Sequence, residues 1–382
     1  MTTIRLAARQ PQVILALQGG GALGAYHIGA YQALSEAGYT PDWVTGISIG
    51  AINAALIAGN PPERRMDQLA GFWEAISRPG AAGAMLDTNA RRFYNRSEVS
   101  RAILFGQPGF FTPRLIGPYT ALPGTPSATS FYDTTPLYAS LRRFLDFDLL
   151  NENAPRISLG ATRVTSGELV FFDNTRQRIG PEHVIASGSL PPGFPATLID
   201  GEAYWDGGCV VNTPLQAVLD DPPADPSIVF MIDLWNVRGA EPRTLDDVLW
   251  RQKQIQYASR SAHEVQTAVQ MLNMRWMIRE MRDLMSPAER AQLPAPTRQT
   301  AGAGHVDLVH IVYQPRRDEI AQSDAEFSRD SLAARREQGY ADMGRVLAQS
   351  PWQTKTLAQA ARVGATVHFI EGDTVNSYTP EV

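Results

Sequence analysis

The sequence predicts an α/β protein built on a parallel sheet, and two observations carry that prediction. The apolar run at residues 13–17 ends in Gly19-Gly20-Gly21 and gives way to a helical pattern, and a second short run, Trp43-Val44-Thr45-Gly46, ends at Ser48 and gives way to another. Strand, loop and helix repeated in this way return the chain to the same end of the sheet, so successive strands must run parallel.

The first run is β-rich and unbroken by polar residues, as expected of a strand covered on both faces. The helix after it is expected over residues 22–37, with Gly38 as its C-cap. Residues 51–58 are small and apolar and read as a second helix, closed by Gly59-Asn60-Pro61. Residues 104–136 turn rich in glycine, proline and aromatics, the texture of a long loop or cap. Residues 156–162 and 168–172 read as two strands around Ser166-Gly167, a hairpin signal. Residues 228–234 read as a buried strand. Beyond about residue 240 the texture changes: residues 245–285 form a long helix rich in Gln, Arg and Met, 305–313 a strand that could rejoin the main sheet, and 331–349 an amphipathic helix. The expected organisation is an α/β domain over residues 1–240 and an appended, mostly helical region over 241–382 that packs on or extends it.

The chain has 382 residues, 44% of them hydrophobic and 19% charged, which is the balance of a globular protein. A formal charge of -5 and a pI near 5.7 leave no concentrated basic face for nucleic acid, so no nucleic-acid partner is expected. The cations are almost all arginine, Lys253 and Lys355 being the only lysines. Cys209 is the sole cysteine, which excludes an internal disulfide or a thiolate cage and fits a reducing compartment. Nothing approaches the run of about 20 apolar residues needed to span a bilayer, and the apolar segment near the amino terminus is too short for a secretion signal. A cytoplasmic protein that can visit the inner face of a membrane is expected. No His/Asp/Glu cluster has metal-ligand spacing, so neither metal nor cofactor is expected.

Gly46-Ile47-Ser48-Ile49-Gly50 has the pattern G-x-S-x-G between a strand and a helix. A serine on such a turn projects its oxygen clear of the backbone, and Gly46 and Gly50 remove side chains that would obstruct it. The competing reading is a structural turn serine. Gly19-Gly20-Gly21-Ala22-Leu23-Gly24 also opens a helix, where backbone N–H groups favour negative charge. It matches G-x-G-x-x-G through Gly19, Gly21 and Gly24, so dinucleotide binding is a rival. That reading needs an acid at the end of the second strand, whereas Asp42 precedes the strand and the strand delivers Ser48 instead. The other use of the loop is an oxyanion hole made by amides of Gly19, Gly20 and Gly21. Asp206-Gly207-Gly208 is by itself an ordinary Asp-Gly turn. Taken together, a nucleophile, an anion-binding loop and a carboxylate in a glycine turn supply the parts of a serine acyl-transfer site.

The glycine loop with Ala25-Tyr26-His27-Ile28-Gly29 behind it, the Gly46–Asn53 stretch, Ala186-Ser187-Gly188-Ser189, Pro191-Pro192, Asp206-Gly207-Gly208 and Asn212-Thr213-Pro214-Leu215 resemble the patatin-like phospholipase family across residues 13–234. The resemblance implies a three-layer α/β/α sandwich around a mostly parallel sheet, a Ser48–Asp206 dyad, an oxyanion hole at Gly19–Gly21 and a lipid or acyl-ester substrate. It implies a serine lipid-acyl hydrolase working through an acyl-enzyme, with short-chain esters or thioesters as alternative substrates. One departure stands out: many members carry a basic residue between the third and fourth glycines, and here that position is Leu23.

Two rivals stay open at this stage. A Ser-acid-His triad needs a histidine after Asp206, and His263, His305, His310 and His368 are the candidates, none in a catalytic context; His27 reads as packing. The fold could also be kept as a dormant lipid- or partner-binding module. The aromatics of residues 104–119, Phe110 and Phe111 among them, fit either an interfacial lid or core packing. Oligomeric state is left open.

Overall fold

The computed structural model describes residues 11–80, 87–152, 155–294, 304–353, 364–371 and 374–378; the amino-terminal stretch before residue 11 and Lys355 lie outside them. Ten strands form one sheet: β1 (Gln12–Leu17), β2 (Trp43–Ile47), β3 (Arg156–Arg163), β4 (Leu169–Asp173), β5 (Thr197–Ile199), β6 (Glu202–Asp206), β7 (Ser227–Asp233), β8 (Val306–Val312), β9 (Ala365–Glu371) and β10 (Thr374–Tyr378). Their order is β10-β9-β8-β7-β1-β2-β3-β6-β5, with β4 paired beside β3. The block from β9 to β3 is parallel throughout, while β10, β4 and β6 run antiparallel to their neighbours.

The central strands show no alternation of buried and exposed residues because both faces are covered. Every residue of β2, β7 and β8 is buried. On β1 the two faces separate cleanly. Val13, Leu15 and Leu17 pack with α1 (Ala25–Glu36), α2 (Ile49–Ala58) and α3 (Arg65–Ala75), whereas Ile14 and Ala16 face α6 (Leu215–Asp220) and α7 (Leu245–Leu284). Helices α4 (Thr88–Phe105) and α5 (Pro181–Ser187) lie between in the chain, and α8 (Arg329–Gln349) packs along α1, with Tyr26 Oη donating to Asp342 Oδ2 at 2.8 Å. The result is a three-layer α/β/α sandwich around a mostly parallel mixed sheet. Leu15 and Leu17 are fully buried, and each such side chain stabilises the fold by about 2 kcal/mol.

The chain beyond residue 241 contributes β8, β9 and β10 to this same sheet. Strand β8 pairs in parallel along the whole of β7, Val306 opposite Ser227 through Val312 opposite Asp233. Between α4 and residue 136, most of the expected loop is irregular, pinned by a short antiparallel pairing of Thr112–Pro113 with Tyr132–Asp133.

The parallel register sets up the site. Leu17 at the end of β1 lies opposite Gly46 of β2, and Ile47 lies opposite Gly160 of β3. Ala161, one residue on, lies opposite Asp206 at the end of β6. Three chain segments far apart in sequence therefore leave the sheet side by side, at the carboxyl ends of the parallel strands where α/β sheets place their ligands.

Candidate active site

Ser48 sits between β2 and α2 with φ 57° and ψ -126°, a conformation that costs a non-glycine residue about 1–3 kcal/mol and persists only where neighbours impose it. Here they do. The Ser48 N–H donates to both the carbonyl and the hydroxyl of Ser187, at 3.1 and 3.0 Å, and the Ser187 hydroxyl donates onward to the Gly160 carbonyl at 2.6 Å. The Ser48 carbonyl in turn accepts from Ala51 and Ile52 and starts α2. Gly50 is required by close approach: a Cβ there would lie 2.1 Å from the Leu17 carbonyl oxygen, so β1 could not reach the turn past any side chain. At Gly46 a Cβ would lie 2.3 Å from the Gly50 oxygen.

Asp206 is 1% exposed. Its Oδ1 accepts from the Gly208 N–H at 2.7 Å and its own N–H donates to the Ser189 carbonyl, and the Ser48 side chain faces the carboxylate across the same cavity, near enough to favour its charged form. Gly207 packs on the Gly160 carbonyl, where a Cβ would come within 2.7 Å. Burial drives the Asp206 pKa up to about 7, against the opposing pull of Ser48 and of the Gly208 hydrogen bond. Beside it, burial and the Asp206 charge push the Cys209 thiol up to about 11, which makes it a poor nucleophile.

The glycine loop lines the same cavity, but its three residues differ. The Gly19 carbonyl accepts from Asn212 Nδ2 and Trp235 Nε1, each at 2.9 Å, and the Gly19 N–H donates to the Asn212 carbonyl at 3.2 Å. That bond takes the Gly19 amide out of the donor set expected from the sequence. The N–H groups of Gly20 and Gly21 have no protein acceptor among the described residues. Leu23, at the position where a cation was missing, is fully buried in the apolar core.

These groups line a cavity of about 330 Å³ whose remaining walls are mainly apolar, including Ile49, Ile52, Leu137, Leu190, Phe194 and Phe327. Phe110 and Phe111 belong to this wall: both are buried, with ring centroids 6.1 and 5.2 Å from that of Phe194. For these two the packing alternative describes the structure. Leu104, Phe105, Leu115, Ile116 and Tyr119 of the same segment are exposed.

No histidine lines the cavity among the described residues. His263 is exposed, His310 is paired with Asp233 at 2.9 Å, and His368 is held between Ser377 and Asp307. Burial lowers the His27 pKa to about 3, which keeps its ring neutral within the core. Among the described residues no group of three or more metal-ligating side chains occurs, and no helix is long and apolar enough to cross a membrane.

Sequence reasoning missed Trp235, Tyr257, Asp324 and Phe327, all of which line the cavity. Trp235 could have been found, since it follows the end of a central parallel strand. Tyr257 and Asp324 had no local signal, because they come from a polar helix and from an irregular segment past the long helix.

The family model described as patatin-like phospholipase matches residues 15–219, and a second, described as patatin phospholipase, matches residues 255–358. Patatin-like phospholipase domain-containing protein 6 of Mus musculus is 46% identical over 61 residues, which is 16% of this chain and 4% of that protein. The chain thus aligns with a small fraction of the curated relatives it matches. Among solved structures, VipD from Legionella pneumophila gives a TM-score of 0.38 at 16% identity, covering 89% of this chain and 67% of that one. Human GIVD cytosolic phospholipase A2 gives 0.41 at 12% identity, covering 92% and 60%. With more than half its length matched by the first family model, this chain belongs to the patatin-like phospholipase family.

Proposed function

We propose that this chain is a serine lipid-acyl hydrolase that cleaves fatty-acyl esters, of phospholipids or related lipids, through an acyl-enzyme on Ser48. The observation that carries the reading is the strained Ser48 turn and the buried Asp206 carboxylate lining one largely apolar cavity. Ser48 Oγ attacks the ester carbonyl as its proton passes to Asp206. A carboxylate of ordinary pKa would be too weak a base near neutrality, and burial corrects this by bringing Asp206 to about 7. The carbonyl oxygen becomes an oxyanion held by the amides of Gly20 and Gly21, and the amino end of α2 adds its favourable dipole. Asp206 returns the proton to the leaving alcohol. Water then enters by the same route in reverse roles, releases the fatty acid and restores Ser48.

The test is covalent. A fluorophosphonate probe should add one adduct mass to the wild-type protein and none to Ser48→Ala, and p-nitrophenyl esters of graded chain length should be turned over only by the former. Labelling that survives Ser48→Ala removes the nucleophile assignment. An optimum at acetyl rather than at longer chains would replace the lipid with a short-chain substrate.

The same reading includes contact with a lipid surface. Ile103 lines the cavity yet is half-exposed, and it continues outward into Leu104, Phe105, Leu115, Ile116, Tyr119 and Leu122, all exposed. From residue 99 to residue 132 the charged residues are Arg101 and Arg114, in a chain of net charge -5. Arg101 pairs with Glu98 at 2.9 Å, so what the rim offers is chiefly apolar surface, which suits a lipid bilayer. Changing Leu115, Ile116 and Tyr119 together to serine should weaken sedimentation with phosphatidylglycerol vesicles by about tenfold or more, with soluble-ester turnover unchanged. Equal vesicle binding by both proteins would refute the contact.

A further inference from the structure

Arg335 on α8 is a buried cation whose contacts lead to the glycine loop. Its side chain is 2% exposed, and that of its partner Glu319 is 4% exposed, with Nη2 to Oε2 at 2.9 Å and Nε to Oε1 at 3.3 Å. The remaining donor, Nη1, reaches two backbone carbonyls: Ala22 at 3.3 Å and Glu326 at 3.1 Å. A buried ion pair brings little net stability, since desolvation offsets its attraction. What this one does is join the glycine loop to the segment at residues 323–326.

That segment presses on the loop from outside. A Cβ on Gly21 would lie 2.1 Å from the Asp324 carbonyl oxygen, and the Asp324 carboxylate is itself fixed by Lys253 of α7 at 2.7 and 2.9 Å. Within the loop the Arg335 contact is relayed through rigid peptide planes. The Ala22 carbonyl shares its peptide with the Leu23 N–H, which donates to the Gly20 carbonyl at 3.1 Å. The Gly20 carbonyl shares its peptide with the Gly21 N–H, one of the two amides assigned above to the oxyanion. Gripping Ala22 therefore sets the direction of the Gly21 amide.

We propose that Arg335 is a positioning residue for the oxyanion loop: its guanidinium clamps the Ala22 carbonyl and the Glu326 carbonyl together and so makes the carboxy-terminal region part of the catalytic apparatus. This deepens the acyl-hydrolase reading and rests on it for its catalytic consequence, while the clamp itself is a statement about the loop.

The test uses the full chain and two readouts. Arg335→Met combined with Glu319→Gln removes both charges of the ion pair together, leaving Glu326 as the buried carboxylate beside it, and keeps an acceptor for Tyr313 Oη, which donates to Glu319. Tyr26→Phe, which removes the bond to Asp342 at the same α1–α8 contact, is the control. Hydrogen exchange at the amides of residues 20–23 should quicken by about tenfold in the double variant, and kcat on a soluble ester should fall by about tenfold or more with KM within about twofold. Tyr26→Phe should change neither. Arg335→Lys, which keeps the charge but cannot bridge both carbonyls and Glu319, should lie between. It also serves as the test if the double variant does not fold. Unaltered loop exchange, or equal quickening in Tyr26→Phe, overturns the clamp. If wild-type protein neither labels with fluorophosphonate nor turns over esters, the hydrolase reading fails, and the exchange measurement still decides the clamp.

Discussion

Asp206→Asn is expected to lower ester turnover by about 10²–10⁴-fold and at the same time to make the protein more stable above neutral pH. The first effect follows from losing the group that accepts the Ser48 proton. The second follows from its cost to the fold. Asp206 is buried with its pKa raised from 3.8 to about 7, so the native state binds a proton more tightly than the unfolded chain. Stability is therefore full below the unfolded value near 4 and declines as pH rises through about 7, because the fold must then hold a desolvated charge. A shift of this size corresponds to roughly 4 kcal/mol at pH 8. Asparagine keeps an acceptor for the Gly208 N–H and carries no charge, so the variant escapes the decline. Urea unfolding at pH 4 and pH 8 should show near-equal stabilities at the lower pH and an advantage of a few kcal/mol for Asp206→Asn at the higher. In the wild type, log(kcat/KM) should climb with unit slope to about pH 7 and then level. A flat rate profile together with no stability gain would show that Asp206 is an ordinary ionised carboxylate and unsuited as the base.

The legible and illegible parts of this protein divide by how far apart in sequence the interacting residues lie. Gly46, Ser48 and Gly50 were readable because a serine turn is a local object: strand before, helix after, glycines where backbone meets backbone. The placement of the helices against β1 followed from an apolar run with no polar face. Asp206 was readable as a turn but not as a buried acid, since its burial depends on Ala161 and Gly160 of a strand more than forty residues earlier. The Gly19 amide was assigned to the oxyanion because all three glycines look alike in sequence. Only the fold shows that Asn212 occupies it. Phe110 and Phe111 could face a membrane or a cavity wall with equal cause, and what decides is Phe194 and Phe327, reached through the turn at Pro191-Pro192 and through the carboxy-terminal region. Leu23 looked like a missing charge. Nothing near it in sequence could indicate that a guanidinium arrives at the adjacent carbonyl from α8.

Gly21→Ala is expected to reduce turnover by about 10²-fold or more while destabilising the protein by about 2–4 kcal/mol. Two costs combine at this position. With φ 54° the backbone lies in the left-handed region, where a Cβ costs about 1–2 kcal/mol. The larger cost is steric: the new methyl would sit 2.1 Å from the Asp324 carbonyl oxygen, a backbone atom with Lys253 on its side chain and Arg335 on the carbonyl two residues on. Neither the loop nor the 323–326 segment can move without breaking those contacts, so the strain must go into the loop's own peptide planes, which carry the Gly20 and Gly21 amides. Gly38→Ala separates the two costs. Its φ is 83°, more strained for alanine, yet nothing lies within 4 Å of the added Cβ, and the expected result is a loss of about 1–2 kcal/mol with unchanged turnover. Comparing kcat and urea unfolding for the pair distinguishes general backbone strain from displacement of the oxyanion donors. Turnover within about threefold of wild type in Gly21→Ala, a change in ΔG‡ of under 1 kcal/mol, would place the oxyanion elsewhere than at these amides.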